Sequence, residues 1–302
     1  ITLRFKDNLR EQKITYSLSK LNLKDKKITL NDVPLKHSQK LFESFKCVVF
    51  TPDDIDIVKG PPEKRRSFID LAYSQISHKS LRYIRAYDTI ISQRNAAIKD
   101  IINGRYSENV LVIWDQQLAD ICTFVSVMRH KYIRKLNDVC RELYSKITDG
   151  SEILSVSYAP NAFTLKELDE GVSAQMSKDC FIKLHDNAKD DIRVGYTQMG
   201  IHRDDVIFKI NNLNVKEFGS QGQKKSTALV LKLAQAQLLY DYCHEPPVIL
   251  LDDVMGELDV NRQNLVYDVV QDMQVFITSC NENAVEFHEK AKTFTVKNGS
   301  LV

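Results

Sequence analysis

The sequence predicts an α/β protein: a partly parallel sheet with helices, an antiparallel β-rich segment at the N-terminal end, and a long helical hairpin between them. Three stretches carry that prediction. Val248-Ile249-Leu250-Leu251 is an unbroken apolar run behind the Pro246-Pro247 pair, the pattern of a strand covered on both faces in a parallel sheet. Between Ile1 and Leu35, short alternating segments are separated by charged turns, as in antiparallel strands with one wet face. From Trp114 to Leu143 the apolar residues recur at steps of four and three, which draws the narrow seam of paired long helices.

Taken in order, Ile1–Phe5, Ile14–Leu18 and Lys27–Leu30 read as strands, with Asn31-Asp32 as a turn. Cys47–Phe50 reads as a buried strand of the same β-rich lobe, stopped by Thr51-Pro52-Asp53-Asp54. Gly60-Pro61-Pro62 breaks the chain, and Pro62 followed by Glu63 suits a helix start. Lys64, Arg65 and Arg66 follow on that first turn. Adjacent cations repel one another unless an anion faces them, so nucleic-acid phosphate is one reading; a solvated face, or pairing with Asp70, is the other.

Helical spacing runs from Ser67 to about Ile102, is interrupted at Asn103-Gly104-Arg105, and resumes through Leu143. Two long helices joined by a short Gly-containing turn make an antiparallel hairpin. Trp114 and Tyr132 fall on its apolar stripe and are read as core. Arg82, Arg85, Arg94, Arg129, Lys131, Arg134 and Lys135 lie off or beside the stripe and are read as a basic outer face. No loop interleaves aromatics with cations, which favours contact with a duplex backbone over stacking on single strands.

Asp149-Gly150-Ser151 ends the hairpin. Ile153–Tyr158 then reads as a strand, and residues from about Val172 to Ala188 as a helix that holds the lone His185. Arg193–Tyr196 and Val206–Ile210 read as strands joined through His202-Arg203-Asp204-Asp205, the second turning at Asn211-Asn212 into Leu213–Val215. Asn261–Val270 reads as a helix and Val275–Thr278 as a buried strand.

Composition excludes little. The 302 residues hold 42 basic and 40 acidic side chains, so net charge alone does not announce a nucleic-acid protein. Residues 1–46 carry 11 Lys/Arg against 5 Asp/Glu, a basic bias that suits either a patch or a solvated face. The six cysteines show no CxxC and no paired spacing, which reads as thiols of a reducing compartment. No apolar stretch is read as long enough to span a bilayer, and the expected location is cytoplasmic.

The chemistry gathers between Lys216 and Asp259. Gly219-Ser220-Gln221-Gly222-Gln223 precedes a helix whose apolar residues include Leu229, Val230, Leu233, Leu238 and Tyr240. A Gly-rich turn at a helix N-terminus offers free N–H donors and the positive end of the dipole, which suits phosphate; the Ser220 hydroxyl adds a donor. A plain surface turn is the alternative. Asp252 and Asp253 end the apolar run of 248–251, at the edge where parallel sheets place ligands. One carboxylate could orient Mg²⁺ and the next polarise a water; both could equally cap the following helix.

These pieces resemble the signature loop, Walker B strand and D-loop of the ABC-type ATPase heads of the SMC and RecF group. The resemblance is to the RecF family above all, through Phe218–Gln223 and Leu250–Asp259. Met199-Gly200 with His202-Arg203-Asp204-Asp205, Gly60–Asp70 and Gln93–Ala97 add to it. It implies an ABC-type ATPase head, with a mixed and partly parallel sheet, helices and an antiparallel β lobe, and a helical-hairpin arm domain. Residues 1–62 would be the remainder of the N-terminal lobe, 63–150 the arm, and 151–302 the C-terminal part of the head.

The resemblance further implies ATP and Mg²⁺ as cofactors. Ser220, Gln221, Gly222, Gln223 and Asp259 would meet nucleotide, Asp252 the metal, Asp253 the attacking water, and Lys64, Arg65, Arg66 and Arg203 DNA. Partners would be double-stranded or gapped DNA, a second copy joined by ATP, RecR, and RecA loaded through RecR, in recombination, replication restart and the SOS response. Where ABC heads often carry a switch histidine this chain has Ser279-Cys280-Asn281, with Ser279 or Asn281 as substitutes. A G-x-x-x-x-G-K-[ST] P-loop does not occur in the sequence; the resemblance implies that one precedes Ile1, that the intact protein is a weak ATPase, and that this chain alone is inactive. The competing readings are a non-enzymatic DNA- or partner-binding scaffold and another SMC-like head.

Overall fold

The computed structural model describes residues 1–7, 9–18, 26–35, 39–280 and 291–302. Strands β1 (Thr2–Lys6), β2 (Glu11–Leu18), β3 (Lys26–Leu30) and β4 (Val33–Pro34) form an antiparallel meander. Asn31 and Asp32 make the β3–β4 turn with φ of 51° and 66°, the left-handed pair that a two-residue hairpin requires.

After α1 (Gln39–Ser44), strand β5 (Cys47–Phe50) leaves the meander and pairs in parallel with the strand Val248–Asp252. Its pairing is thus parallel, unlike that of the meander strands before it. Helix α2 (Asp56–Lys59) leads through Gly60-Pro61 into α3 (Pro62–Ile76) and α4 (His78–Ile102). The single helix expected across 67–102 is therefore two. Ser77 is extended, at φ −131° and ψ 105°, and its carbonyl takes both the N–H and the hydroxyl of Ser80, at 3.1 and 2.6 Å, which starts the second helix.

Helix α5 (Val112–Ile147) runs for 36 residues and completes the hairpin with α4. By length and composition it could cross a membrane, contrary to the expectation that no stretch is long enough. Here that apolar length is core, since Leu118, Val125, Tyr132 and Leu136 are each at most 1% exposed. Trp114 also packs on the core.

Strand β6 (Leu154–Ala159) follows, then α6 (Leu165–Asp169), α7 (Ala174–Asp186) and α8 (Ala188–Val194). Arg193–Tyr196, read as a strand, instead ends α8, and Gly195 at φ 91° closes the helix in the left-handed conformation. Strands β7 (Asp205–Ile210) and β8 (Leu213–Asn214) join β6 in an antiparallel sheet.

The short α9 (Val215–Phe218) precedes α10 (Gln221–Cys243), which is buried nearly all round from Ser226 to Ala236, as a core helix must be. Strand β9 (Val248–Asp252), α11 (Val260–Val270) and β10 (Val275–Thr278) complete the parallel sheet in the order β10-β9-β5. Strands β11 (Val296–Lys297) and β12 (Ser300–Leu301) form a small hairpin. One continuous apolar cluster extends from Val48 on β5 to Val270 on α11.

Two arginines of the expected basic face lie inside. Arg94 is fully buried and reaches Asp115 at 2.7 Å, Asp191 at 2.6 Å and Thr197 at 2.8 Å. Arg129 grips Asp70 through two N–H groups at 2.9 and 2.8 Å and reaches Asp204 at 2.7 Å. Buried charge demands partners, and these carboxylates come from distant elements. Arg82, Arg85, Lys131, Arg134 and Lys135 remain exposed.

Candidate functional site

Helix α10 opens at Ser220, whose Oγ accepts the N–H of Gln223 at 3.1 Å while Gln223 Oε1 accepts the N–H of Ser220 at 2.8 Å. This is a capping box, formed because a hydroxyl at the cap and an amide three residues on satisfy each other's orphan donors. The N–H groups of Gln221 and Gly222 have no acceptor among the described residues. Gly219 admits no other residue without a shift: a Cβ there would lie 2.6 Å from Val215 O.

Helix α11 opens at Asp259, which accepts the N–H of Arg262 at 3.0 Å. The Arg262 guanidinium returns to Asp259 and also reaches Ser226 Oγ on α10, at 2.9 and 2.6 Å. The two helix starts are thereby tied together. They face one open cleft of about 330 Å³ lined also by Tyr144, Thr148 and Glu152. Two N-termini bring unpaired donors and positive dipole ends to that space.

Ser220, Gly222, Gln223 and Asp259 thus share the cleft, whereas Gln221 is exposed outside its lining. Asp252 and Asp253 are not part of it either. They stand exposed at the C-terminal end of β9, beside Thr278 of β10. The Thr278 hydroxyl donates to Asp252 Oδ1 at 2.6 Å, and the Asp253 N–H approaches Thr278 Oγ1 and O at 3.1 and 3.3 Å. Asp253 has φ 54°, a strained value for a residue with a side chain, of the kind that accumulates at functional positions. Its carboxylate has no partner among the described residues. Ser279 is exposed but engaged, and Asn281 lies outside the described residues.

The cations read as facing DNA separate. Lys64 is exposed. Arg65 is corrected to a structural role: it is buried, holds Asp205 at 2.7 and 3.0 Å, and donates to Gly60 O at 2.8 Å. Arg66 is half-buried and donates to the carbonyl of Asp204 at 2.8 Å; burial, then the nearby Arg129, lower its pKa. Arg203 is exposed, its guanidinium 5.1 Å from the centre of the Tyr196 ring. That pair is one of several cation–aromatic contacts that sequence reading did not find.

Sequence reading also missed Glu152, Tyr144, Arg262 and Thr278. Arg262 was within reach, since it sits three residues after the capping Asp259. Thr278 meets Asp252 only through the parallel register of β10 with β9, which no local pattern announces.

A parallel strand ending in two carboxylates, a capped Gly-rich turn and an acid-capped helix beside it, set on mixed sheets with a helical arm, define an ABC-type ATPase head. No family model matches the chain. Curated relatives do: the DNA replication and repair protein RecF of Acetivibrio thermocellus is 34% identical over 264 residues, 87% of this chain and 70% of that protein. RecF of Clostridioides difficile is 35% identical over 291 residues, 95% of this chain and 77% of the relative. Among solved structures, one described as the recombination mediator RecF-ATPrS in the RecFOR pathway superposes with a TM-score of 0.87 at 29% identity, covering 99% of this chain and 79% of that one. A second, RecF-ATP in the same pathway, gives 0.84 at 28%, covering 97% and 76%. The chain belongs to the RecF family of DNA replication and repair proteins.

Proposed function

We propose that the protein is an ATP-dependent, DNA-binding recombination mediator in which nucleotide joins two copies. The observation that carries this reading is a separation: the phosphate-suited cleft holds Ser220, Gly222, Gln223 and Asp259 but not Asp252 or Asp253. Signature turn and carboxylates are thereby suited to serve different phosphates, as they do when the turn of one copy covers nucleotide held by the other. The likeness to RecF structures described with ATP and ATPrS supports nucleotide as the ligand.

In this reading the free N–H groups at the start of α10 and the Ser220 hydroxyl take phosphate oxygens. Asp252 keeps one oxygen beyond its bond to Thr278, a hard donor that suits Mg²⁺. No group of three His, Cys, Asp or Glu among the described residues forms a metal cage, which fits an ion that keeps waters and phosphate oxygens as its other ligands. Bound there, Mg²⁺ would offset triphosphate charge. Asp253, exposed and unpartnered, orients a water and accepts its proton. Lys64, Arg66 and Arg203 contact duplex or gapped DNA. Cytoplasmic work in repair and replication restart, within the SOS response and with RecR and RecA as successive partners, follows from the same reading.

Ser220→Arg in the full-length protein tests it. The larger side chain fills the space for phosphate, so ATP with Mg²⁺ will no longer drive dimerisation in sedimentation, while ATP binding persists. A Ser220→Arg protein that still dimerises on ATP refutes the role given to the turn.

A further inference from the structure

A continuous chain of hydrogen bonds runs from the arm into the cleft. Tyr144, near the end of α5 and 1% exposed, donates its hydroxyl to Glu152 Oε2 at 3.0 Å. Burial, then the bond to Glu152, raise its pKa, so it stays a donor. Glu152 Oε1 accepts from Gln223 Nε2 at 2.7 Å, and Gln223 Oε1 takes the Ser220 N–H at 2.8 Å. All four residues line the cleft.

This arrangement has two effects on an incoming phosphate. A carboxylate can only accept, so Glu152 fixes which way the Gln223 amide faces, with its NH₂ toward Glu152 and its carbonyl over the Ser220 N–H. The donor nearest the start of α10 is thereby occupied. Glu152 also carries negative charge into the cleft, where Arg262 is already engaged by Asp259 and Ser226.

We propose that Glu152 is a positioning residue that holds the signature turn in a state that takes phosphate weakly, and that tight phosphate binding at Ser220 requires Gln223 to leave Glu152. The inference rests on the reading of the signature turn given above. Because Glu152 is also held by Tyr144, phosphate binding and the end of α5 are linked, and linkage between two binding events works equally in both directions.

The test measures self-association of the full-length protein by sedimentation as ATPγS with Mg²⁺ is titrated, for wild type, Glu152→Gln, Tyr144→Phe and the double variant. Glu152→Gln keeps the shape and can still accept from Gln223, but through a neutral bond and without the repelling charge. It will lower the nucleotide concentration at half-association about fivefold. Tyr144→Phe frees Glu152 from α5 and shifts the midpoint the same way by less, adding nothing in the Glu152→Gln background. A residue that only braces the fold would weaken association or leave it unchanged. A wild type that responds to nucleotide beside variants that are unchanged or weaker overturns the role of Glu152 alone. A wild type that does not respond overturns both this role and the reading of the turn.

Discussion

Replacing Arg65 by Ala removes two N–H bonds to Asp205, at 2.7 and 3.0 Å, and one to the Gly60 carbonyl at 2.8 Å. Breaking a fully buried ion pair costs about 3–5 kcal/mol, chiefly because the surviving charge is stranded. Here the Asp205 side chain is 26% exposed against 5% for Arg65, and Asp205 Oδ1 keeps the N–H of Val206 at 2.7 Å. Water and that bond recover part of the loss, so about 2–3 kcal/mol is expected. At about 2–4 °C per kcal/mol for large domains, calorimetry will show Tm lower by about 4–12 °C. Lys64→Glu, at an exposed neighbour, will leave Tm within about 1–2 °C. It will instead weaken duplex binding and reduce the slope of log affinity against log salt by about one. An Arg65→Ala protein with unchanged Tm and a slope reduced by one would show that Arg65 contacts phosphate and that its burial is not what retains it.

Two further outcomes follow. In the full-length protein Asp253→Asn will retain nucleotide binding and lower ATP turnover by about 10²-fold or more, and unchanged turnover in a steady-state assay would remove Asp253 from catalysis. The neutral His202 will make stability fall on acidification: its Nε2–H donates to Thr197 O at 3.1 Å, its Nδ1 accepts from Tyr87 Oη at 2.5 Å, and burial lowers its pKa below the ordinary value. The unfolded chain therefore takes up this proton first as pH drops through about 6.5. The contribution is full above that pH and is lost below it. Thermal denaturation at pH 7.5 and 5.5 will show a smaller loss in His202→Gln than in wild type, and an equal loss would refute the assignment.

The parts of the fold legible in the sequence are those fixed by neighbours along the chain. The Asn31-Asp32 turn, the Ser220–Gln223 cap and the β9 run each depend on residues within a few positions. The misreadings have partners far away. Arg65 meets Asp205 across 140 positions, Arg94 meets Asp191 across 97, and Arg129 meets Asp204 across 75, so no spacing rule distinguishes these arginines from solvated ones. The parallel pairing of β5 is a tertiary choice of the same kind. For Arg193–Tyr196 the local signals do exist: Asp190 and Asp191 in the first turn and Gly195 after Val194 mark a helix start and stop.

The buried arginines also constrain how the arm can act on the cleft. Arg65 on α3, Arg94 on α4 and Arg129 on α5 each pair with a carboxylate beyond residue 150. Hinging the arm there would strand several charges at about 3–5 kcal/mol for each fully buried pair. Motion is better transmitted along α5 as a body. Arg66, one of the cations proposed to meet DNA, bonds the Asp204 carbonyl, and the Asp204 carboxylate bonds Arg129. Arg129 and Tyr144 lie on the same helix, 15 residues and about 22 Å apart at the helical rise. Tyr144 in turn holds Glu152, and Glu152 holds Gln223. A contiguous set of hydrogen bonds and one rigid helix therefore joins the proposed DNA surface to the signature turn. The non-additivity of Tyr144→Phe with Glu152→Gln examines its last link, and measuring the same nucleotide midpoint with and without duplex DNA examines the whole path: DNA will lower the midpoint in wild type and lower it less once Glu152→Gln has removed the charge that holds Gln223.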